Sequence, residues 1–455
     1  MPAIPSAPLR SYDLLAVDQL ELPTTADILP PDPGDRREYA RMLAMDATIY
    51  GLPSAFEYAQ LYEQAVDGAS DLYTGFNRFL HQRDLATPSF TAFKTPNVDT
   101  LYSNAWLDLT GGPVEVRVPP MEGRYFTLQF VDLYGNATNL SSRTVGAEGG
   151  RFAVTTTTWD GPLPDGLVPF RVGTPFVWIL MRILVKDAGG DVDVVRRLQD
   201  EVRLSGTGPS PAIDFPAVTA KEVETEAGPF LAALDWTLRH NGRPAQEEAY
   251  VHRFSGIGLG GRRPFSLDEL DPAVREGVVA GFRDAMAVVE GSRALVGERT
   301  ATGWRTGTAG ELGFNYLHRA VQNFVGTGGN VTAEKKFFVA FEGGDGAPLD
   351  GRRDHRLRFD VLPPVDGGWS LTVYPTDTGL LYDNEIDRYA IGSTTAGLVT
   401  TADGALEILL QHRRPAEPSN WLPVPDGPFY VDLRMWEPRA EARDGRWIPP
   451  AIEAR

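Results

Sequence analysis

The stretch TPNVDTLYSNAWLDL, residues 95–109, gathers side chains able to do acid–base and hydrogen-bonding chemistry at the entry of a strand. Asn97, Asp99 and Thr100 lie in a turn-forming run, and two readings of them stay open. They point into a cleft as ligand-binding groups, or they form an Asx-turn in which Asn and Asp satisfy nearby backbone groups. Beyond the turn, period-two geometry puts Tyr102, Asn104, Trp106 and Asp108 on one strand face. Flat aromatic surface beside hydrogen-bonding groups suits sugars and other polar organic molecules. The same face could equally be a packed layer whose polar atoms bond to helices. Asp99 and Asp108 are the candidate acid and base, with Asp132 a third carboxylate in the same region. Two converging carboxylates are what cleavage of a glycosidic bond requires. His81, in FLHQRDLATP just upstream, is the histidine placed to approach them.

Further along, Arg143 and Arg388 each follow an Asn by four residues and are the candidates to grip a carboxylate bidentately. Anchoring a loop through backbone carbonyls or a buried acid is the structural alternative. Trp369 joins Tyr102 and Trp106 as a candidate aromatic binding residue. Tyr430, Asp432, Arg434 and Trp436 share one face of the C-terminal strand FYVDLRMW, a parallel to the Tyr102 face. Arg182 interrupts the apolar run PFVWILMRILV and needs a partner if buried, with Asp108 and Asp132 the candidates.

Several chemistries are excluded or unsupported. The chain has no cysteine, which removes disulfides, thiolate nucleophiles and Cys-ligated zinc. None of the six histidines stands in a metal-ligand spacing, and no nucleophile elbow is present. GIGLGG, residues 256–261, lacks the Lys-Ser/Thr of a phosphate-binding loop. No metal and no organic cofactor is expected. The formal net charge of −18 disfavours nucleic acid and anionic membrane as partners. A small-molecule ligand and a homo-oligomer remain compatible with it. The first residues lack an apolar core behind a basic start, so a cytoplasmic location is the expectation.

The elements that must hold these residues alternate in character. Residues 1–35 are Pro-rich and read as irregular. Residues 36–205 read as a helix, broken or kinked at Gly51-Leu52-Pro53, followed by a first β domain. Residues 187–204 carry a helical pattern capped by Asp191 or Asp193. Residues 206–330 read as a helical connector with a helix start at Ser266, and residues 331–455 as a second β domain. Three signatures recur in order. VPPMEGRYFTLQF (118–130) resembles LPPVDGGWSLTVY (362–374); Asn139 to Arg143 resembles Asn384 to Arg388; PLPDG (162–166) resembles PVPDG (423–427). The expected fold is therefore mainly β with helical insertions (α+β): two jelly-roll- or sandwich-like domains of related topology joined by helices.

TPNVDTLYSNAWLDL, GRYFTLQFVDLYGN and TPFVWILMRILV resemble an N-terminal domain of unknown function, 1254. PLDG, PPVDGGWSLTVY, NEIDRYAIGS and NWLPVPDGPF are similar to its usual C-terminal partner, domain of unknown function 1214. The resemblance implies two jelly-roll-like β domains with helical decoration, and carries no established activity. The residues favour an enzyme acting on a small polar or carbohydrate-like molecule through Asp, Tyr, Asn and Arg. The alternative is a non-catalytic binding or interaction protein that uses the same faces as its platform. A deep site with a carboxylate or His perturbed by burial would separate them.

Overall fold

The computed structural model describes residues 29–455 apart from 92–93, 188–189, 207, 243–244, 262, 294–296, 308–309 and 311. Most of the expected irregular segment, residues 1–28, lies outside the described residues. The first helix, α1 (Pro33–Leu61), starts where its caps dictate. Asp32 accepts from the Gly34 and Asp35 amides at 2.8 and 3.0 Å, and Pro33 occupies a position where no amide is needed. It runs unbroken through Pro53, contrary to the expectation of a break at Gly51-Leu52-Pro53. Tertiary packing overrides the local penalty, because residues 50–55 are all buried. A Cβ on Gly51 would come within 2.5 Å of Leu234.

Two β sandwiches follow. The first contains β1 (Leu80–His81), β2 (Thr100–Asp108), β3 (Val114–Val118), β4 (Phe126–Asp132) and β5 (Ala137–Ser141). It continues with β6 (Gly150–Thr156), β7 (Val168–Val172), β8 (Phe176–Leu184) and β9 (Arg203–Gly206). The strands form one sheet ordered β1-β2-β8-β4-β5 and a second ordered β7-β6-β3-β9. Apolar side chains of both sheets, such as Leu101, Val116, Leu128 and Ile179, share one core. Every residue of β8 is buried, as its near-continuous apolar run demands of a strand covered on both faces.

The second sandwich contains β10 (Glu298–Arg299), β11 (Arg305–Thr306), β12 (Lys335–Ala340), β13 (His355–Phe359) and β14 (Val365–Pro375). Its remaining strands are β15 (Ala390–Gly392), β16 (Leu406–Gln411), β17 (Trp421–Pro423), β18 (Phe429–Pro438) and β19 (Ile452–Ala454). Its sheets are ordered β10-β11-β12-β18-β14-β15 and β17-β16-β13-β19. Strands β2 to β9 and β12 to β19 thus repeat one order, including the parallel pairs β6/β7 and β16/β17. Of the three sequence signatures, only the first sits at equivalent places, leading into β4 and into β14. PLPDG precedes β7 whereas PVPDG closes β17. Asn139 lies in β5 whereas Asn384 precedes β15. Good turn chemistry recurs for local reasons, so the shared topology is broader than those two signatures.

Between the sandwiches in sequence lies a helical layer against α1. Helix α2 (Asp191–Glu201) packs on the first sandwich. Its N-cap is Gly190, which has no side chain to cap with; Asp191 and Asp193 lie in the first turn instead, and Asp191 accepts from Arg124 Nη1 at 2.7 Å. The residues that follow it form β9 rather than more helix. Helices α3 (Ala227–His240), α4 (Pro272–Gly291) and α5 (Tyr316–Gly326) surround α1. Ser266 opens only a short 3-10 turn, Leu267–Glu269, and the cap of α4 is Asp271. Gly277 and Gly281 let α1 and α4 touch, since a Cβ on either would lie 2.2 Å from the carbonyl oxygen of Arg37 or Arg41. Among the described residues no helix is long and apolar enough to cross a membrane.

Candidate functional site in the seam between the sandwiches

Alternation along β2 and β8 decides what the first sandwich turns outward. Tyr102 pairs with Arg182, Asn104 with Leu180 and Trp106 with Trp178. On the far side of β8, Arg182 faces Thr127 and Leu180 faces Gln129. In the second sandwich the outward row is Tyr430, Asp432, Arg434 and Trp436 on β18. Ser370, Thr372 and Tyr374 flank it on β14, and Lys335 flanks it on β12. The turn preceding β2 joins these two outward faces. Ser370 Oγ donates to Asp99 Oδ2 at 2.7 Å, Arg434 Nη2 donates to the Thr95 carbonyl at 2.8 Å, and Tyr374 OH donates to the Pro96 carbonyl at 2.6 Å. Thr95 Oγ1 and Tyr430 OH are 2.7 Å apart. The two tyrosine-bearing faces therefore form one seam rather than two separate surfaces.

Asn97 is an Asx-turn: its Oδ1 accepts from the Asp99 and Thr100 amides at 2.9 and 3.0 Å. Its Nδ2 also donates to Tyr102 OH, so the turn aims the phenol into the seam. Burial pushes the Asp99 carboxyl above the usual carboxylate range, against the Ser370 hydrogen bond and the field of Arg434. Arg434 pairs with Asp432 Oδ2 at 2.9 Å and donates to Thr372 Oγ1 at 3.1 Å. Asp432 Oδ1 is buried with no hydrogen-bond partner among the described residues.

Among the described residues, two cations in the seam lack a carboxylate. Arg182 is 8% exposed, donates to Gln129 Oε1 at 2.6 Å and lies 5.3 Å from the centre of the Tyr102 ring. Neither Asp108 nor Asp132 pairs with it. Asp108 accepts from Thr110 at the far end of β2, and Asp132 is engaged by Tyr134 and Asn136. Lys335 is half-buried, and its amine has no hydrogen-bond or ion-pair partner among the described residues. Burial and the neighbouring Arg434 push it down to about 8, with Asp432 opposing and Arg182 adding to the fall.

The other expected residues fall outside this cluster. His81 sits on the opposite face of the sheet, with Nδ1 2.7 Å from Ser103 Oγ and its ring stacked on Phe79. Burial, with a contribution from Arg83, lowers it to about 4. Asp99 and Asp108 stand at opposite ends of β2, so they do not converge on one bond. Trp106 stacks on Trp178 within the core shared with the helices. Trp369 faces the inner core against Phe359. Arg388 spends Nη1 on the carbonyls of Pro418, Ser419 and Trp421, each at 3.0 Å, and so anchors a loop. Arg143 grips a carboxylate, but an internal one: Nη2 is 2.7 Å from Glu334 of the second sandwich. That clasp is completed by Ser141 Oγ donating to Glu334 at 2.8 Å.

Among the seam residues that the sequence reading missed, with Gln129, Ser370, Thr372 and Tyr374, is Lys335. Its signal was the pattern of KKFFVA, where Lys335, Phe337 and Val339 share a face. A groove of about 620 Å³ elsewhere, lined by Glu224, Asp268, Phe282 and Arg283 among others, contains none of the seam residues. Among the described residues no three His, Asp or Glu side chains gather as a metal site.

A family model described as a protein of unknown function (DUF1254) matches residues 76–206, and another, a protein of unknown function (DUF1214), matches residues 334–440. They cover most of the two sandwiches and leave the helical layer between them outside. The crystal structure of the VPA0106 protein from Vibrio parahaemolyticus is similar over 91% of this chain and 100% of its own, with a TM-score of 0.73 and 25% identity. A putative uncharacterized protein from Burkholderia cenocepacia aligns over 96% of this chain and 94% of its own, at a TM-score of 0.41 and 14% identity. No curated protein matches the chain.

Proposed function

The chain belongs to the family that joins a domain of unknown function 1254 to one of 1214, and we propose that it is an enzyme taking a small polar carboxylate into the seam between those domains. Uncompensated charge carries the reading. Arg182 and Lys335 enter the seam without a carboxylate partner among the described residues, although the chain as a whole has a net charge of −18. A buried cation without a counter-ion costs several kcal/mol, and a ligand carboxylate would remove that cost. Tyr102 and Ser370 supply neutral hydroxyl groups for the rest of a hydroxylated or carbonyl-bearing molecule.

Catalysis rather than passive binding is favoured by a pair of opposite shifts. Burial moves the Asp99 carboxyl up and the Lys335 amine down in one seam. Such a pair is the form that acid–base machinery takes near neutral pH. Calorimetric titration with lactate and gluconate tests the reading. Saturable binding is expected, weakened at least about tenfold in Arg182→Gln by loss of one charge-assisted contact. A variant that binds as wild type does would sink it. Screening turnover of the ligands that bind then separates an enzyme from a non-catalytic binder.

A further inference from the structure

Lys335 differs from the other cations of the seam in what its head group lacks. Arg434 is held by Asp432, Thr372 and the Thr95 carbonyl, and Arg182 by Gln129 and the Tyr102 ring. The Lys335 amine has none of these, although it starts β12 beside Trp436 on the face that carries Arg434. An amine left bare beside two guanidinium groups makes a poor structural ion and a good nucleophile. Cationic neighbours favour its neutral form, and they also hold the anionic part of a substrate. We infer that Lys335 forms an imine with the carbonyl carbon of a small 2-oxo carboxylate whose carboxylate rests on Arg182. This names the substrate class of the seam and rests on the carboxylate-binding reading given above.

The step balances without any further reactant. The neutral amine attacks the carbonyl carbon, forming the C–N bond as the C=O π pair moves onto oxygen. A proton passes from nitrogen to that oxygen, giving a carbinolamine. The nitrogen gives up its remaining proton, the hydroxyl leaves with that proton as water, and the nitrogen electrons close the C=N bond. Asp432, on the same face of β18 as Arg434, keeps one buried carboxylate oxygen, Oδ1, with no donor among the described residues. The fraction of neutral amine grows as pH rises through about 8, because burial and Arg434 lower Lys335 while Asp432 opposes and Arg182 adds to the shift. Adduct formation should therefore increase between about pH 6.5 and 9.

The test treats the full chain with pyruvate and cyanoborohydride, followed by peptide mapping. Lactate, which has no carbonyl, serves as the control for carboxylate binding. The expected result is one reduced pyruvate adduct on the Lys335 peptide, suppressed by excess lactate and absent from Lys335→Arg. Lactate binding without an adduct at Lys335 above the level of the other lysines overturns the imine while sparing the carboxylate reading. Absence of both lactate binding and adduct overturns both. An adduct that persists in Arg182→Gln at the wild-type rate would overturn the assignment of Arg182 as the carboxylate's partner.

Discussion

The seam and the helical layer each bury an arginine, and they treat it in opposite ways. In the helical layer Arg319 is fully buried, 3.5 Å from Glu247, with its guanidinium 4.8 Å from the Tyr50 ring centre and 4.9 Å from that of Tyr316. Tyr50 OH donates to the same Glu247 at 2.8 Å. The charge is closed in by the chain itself. In the seam Arg182 has a ring and an amide but no anion among the described residues, and Lys335 has neither. Charge that the fold neutralises internally is architecture, whereas charge left without a counter-ion is capacity for a ligand. The carboxyl counterpart is Glu57 on α1. Both of its oxygens lack hydrogen-bond partners among the described residues, and burial pushes its carboxyl well above the usual carboxylate range.

The comparison is most exposed to paired arginine substitutions. Arg319→Met should cost about 3–5 kcal/mol in urea unfolding, since it strands buried Glu247. Arg182→Met removes an already unpaired buried charge, so relief of its desolvation offsets the lost bond to Gln129 and stability should be unchanged or higher. Equal costs would erase the distinction between the two regions. Next in size is the clasp between the sandwiches. Glu334→Ala removes the acceptor of Arg143 and Ser141. It should cost about 3 kcal/mol, read as a lower urea midpoint.

A pH series on His81 sharpens the comparison from outside the seam. Its folded-state value of about 4 lies below the ordinary 6.5 of an unfolded histidine. The native state therefore binds that proton less well than the unfolded chain does. The stability His81 contributes is present above pH 6.5 and is lost as pH falls toward about 4. In His81→Gln the loss of thermal stability between pH 6.5 and about 4 should be shallower than in wild type, with lactate binding unchanged. The smallest effect belongs to the exposed pair Arg356–Glu453, 2.7 Å apart on β13 and β19. Glu453→Gln should change stability by under about 1 kcal/mol, and less in high salt. A larger loss there would mean that ion pairing in this protein does not follow burial.

Much of the frame was legible because it is local. The Asx-turn at Asn97, the outward row of β2 and its counterpart on β18 follow from turn chemistry and period-two alternation. Most strands of the two β regions follow from that alternation, but β10 and β11 lie within the expected helical connector 206–330 and join a sheet of the second sandwich. Less local features were misread or left open between two readings. Pro53 was expected to break α1, yet packing against Leu234 and its neighbours keeps the helix whole. Arg388 and Arg143 have the right chemistry for a ligand, but Arg388 is spent on carbonyls of residues 418–421 and Arg143 on Glu334, and neither partner is near in sequence. His81 is close to the turn in sequence but lies on the other side of the sheet, because successive strand residues face opposite ways.

The sequence by itself determined which residues share a strand face, which runs turn, and that two similar β units flank a helical one. Those outcomes depend on interactions over a few residues, whose energies the neighbouring residue types already set. Only the tertiary structure decided that the outward faces of the two sandwiches meet, that Asp99 bonds to Ser370 across the seam, and that Arg182 and Lys335 enter it without a counter-ion among the described residues. Whether a charge is compensated depends on which side chains arrive within a few ångströms of it. For Arg182 and Lys335 those neighbours come from distant strands, so the feature that points to function could appear only once both sheets were in place.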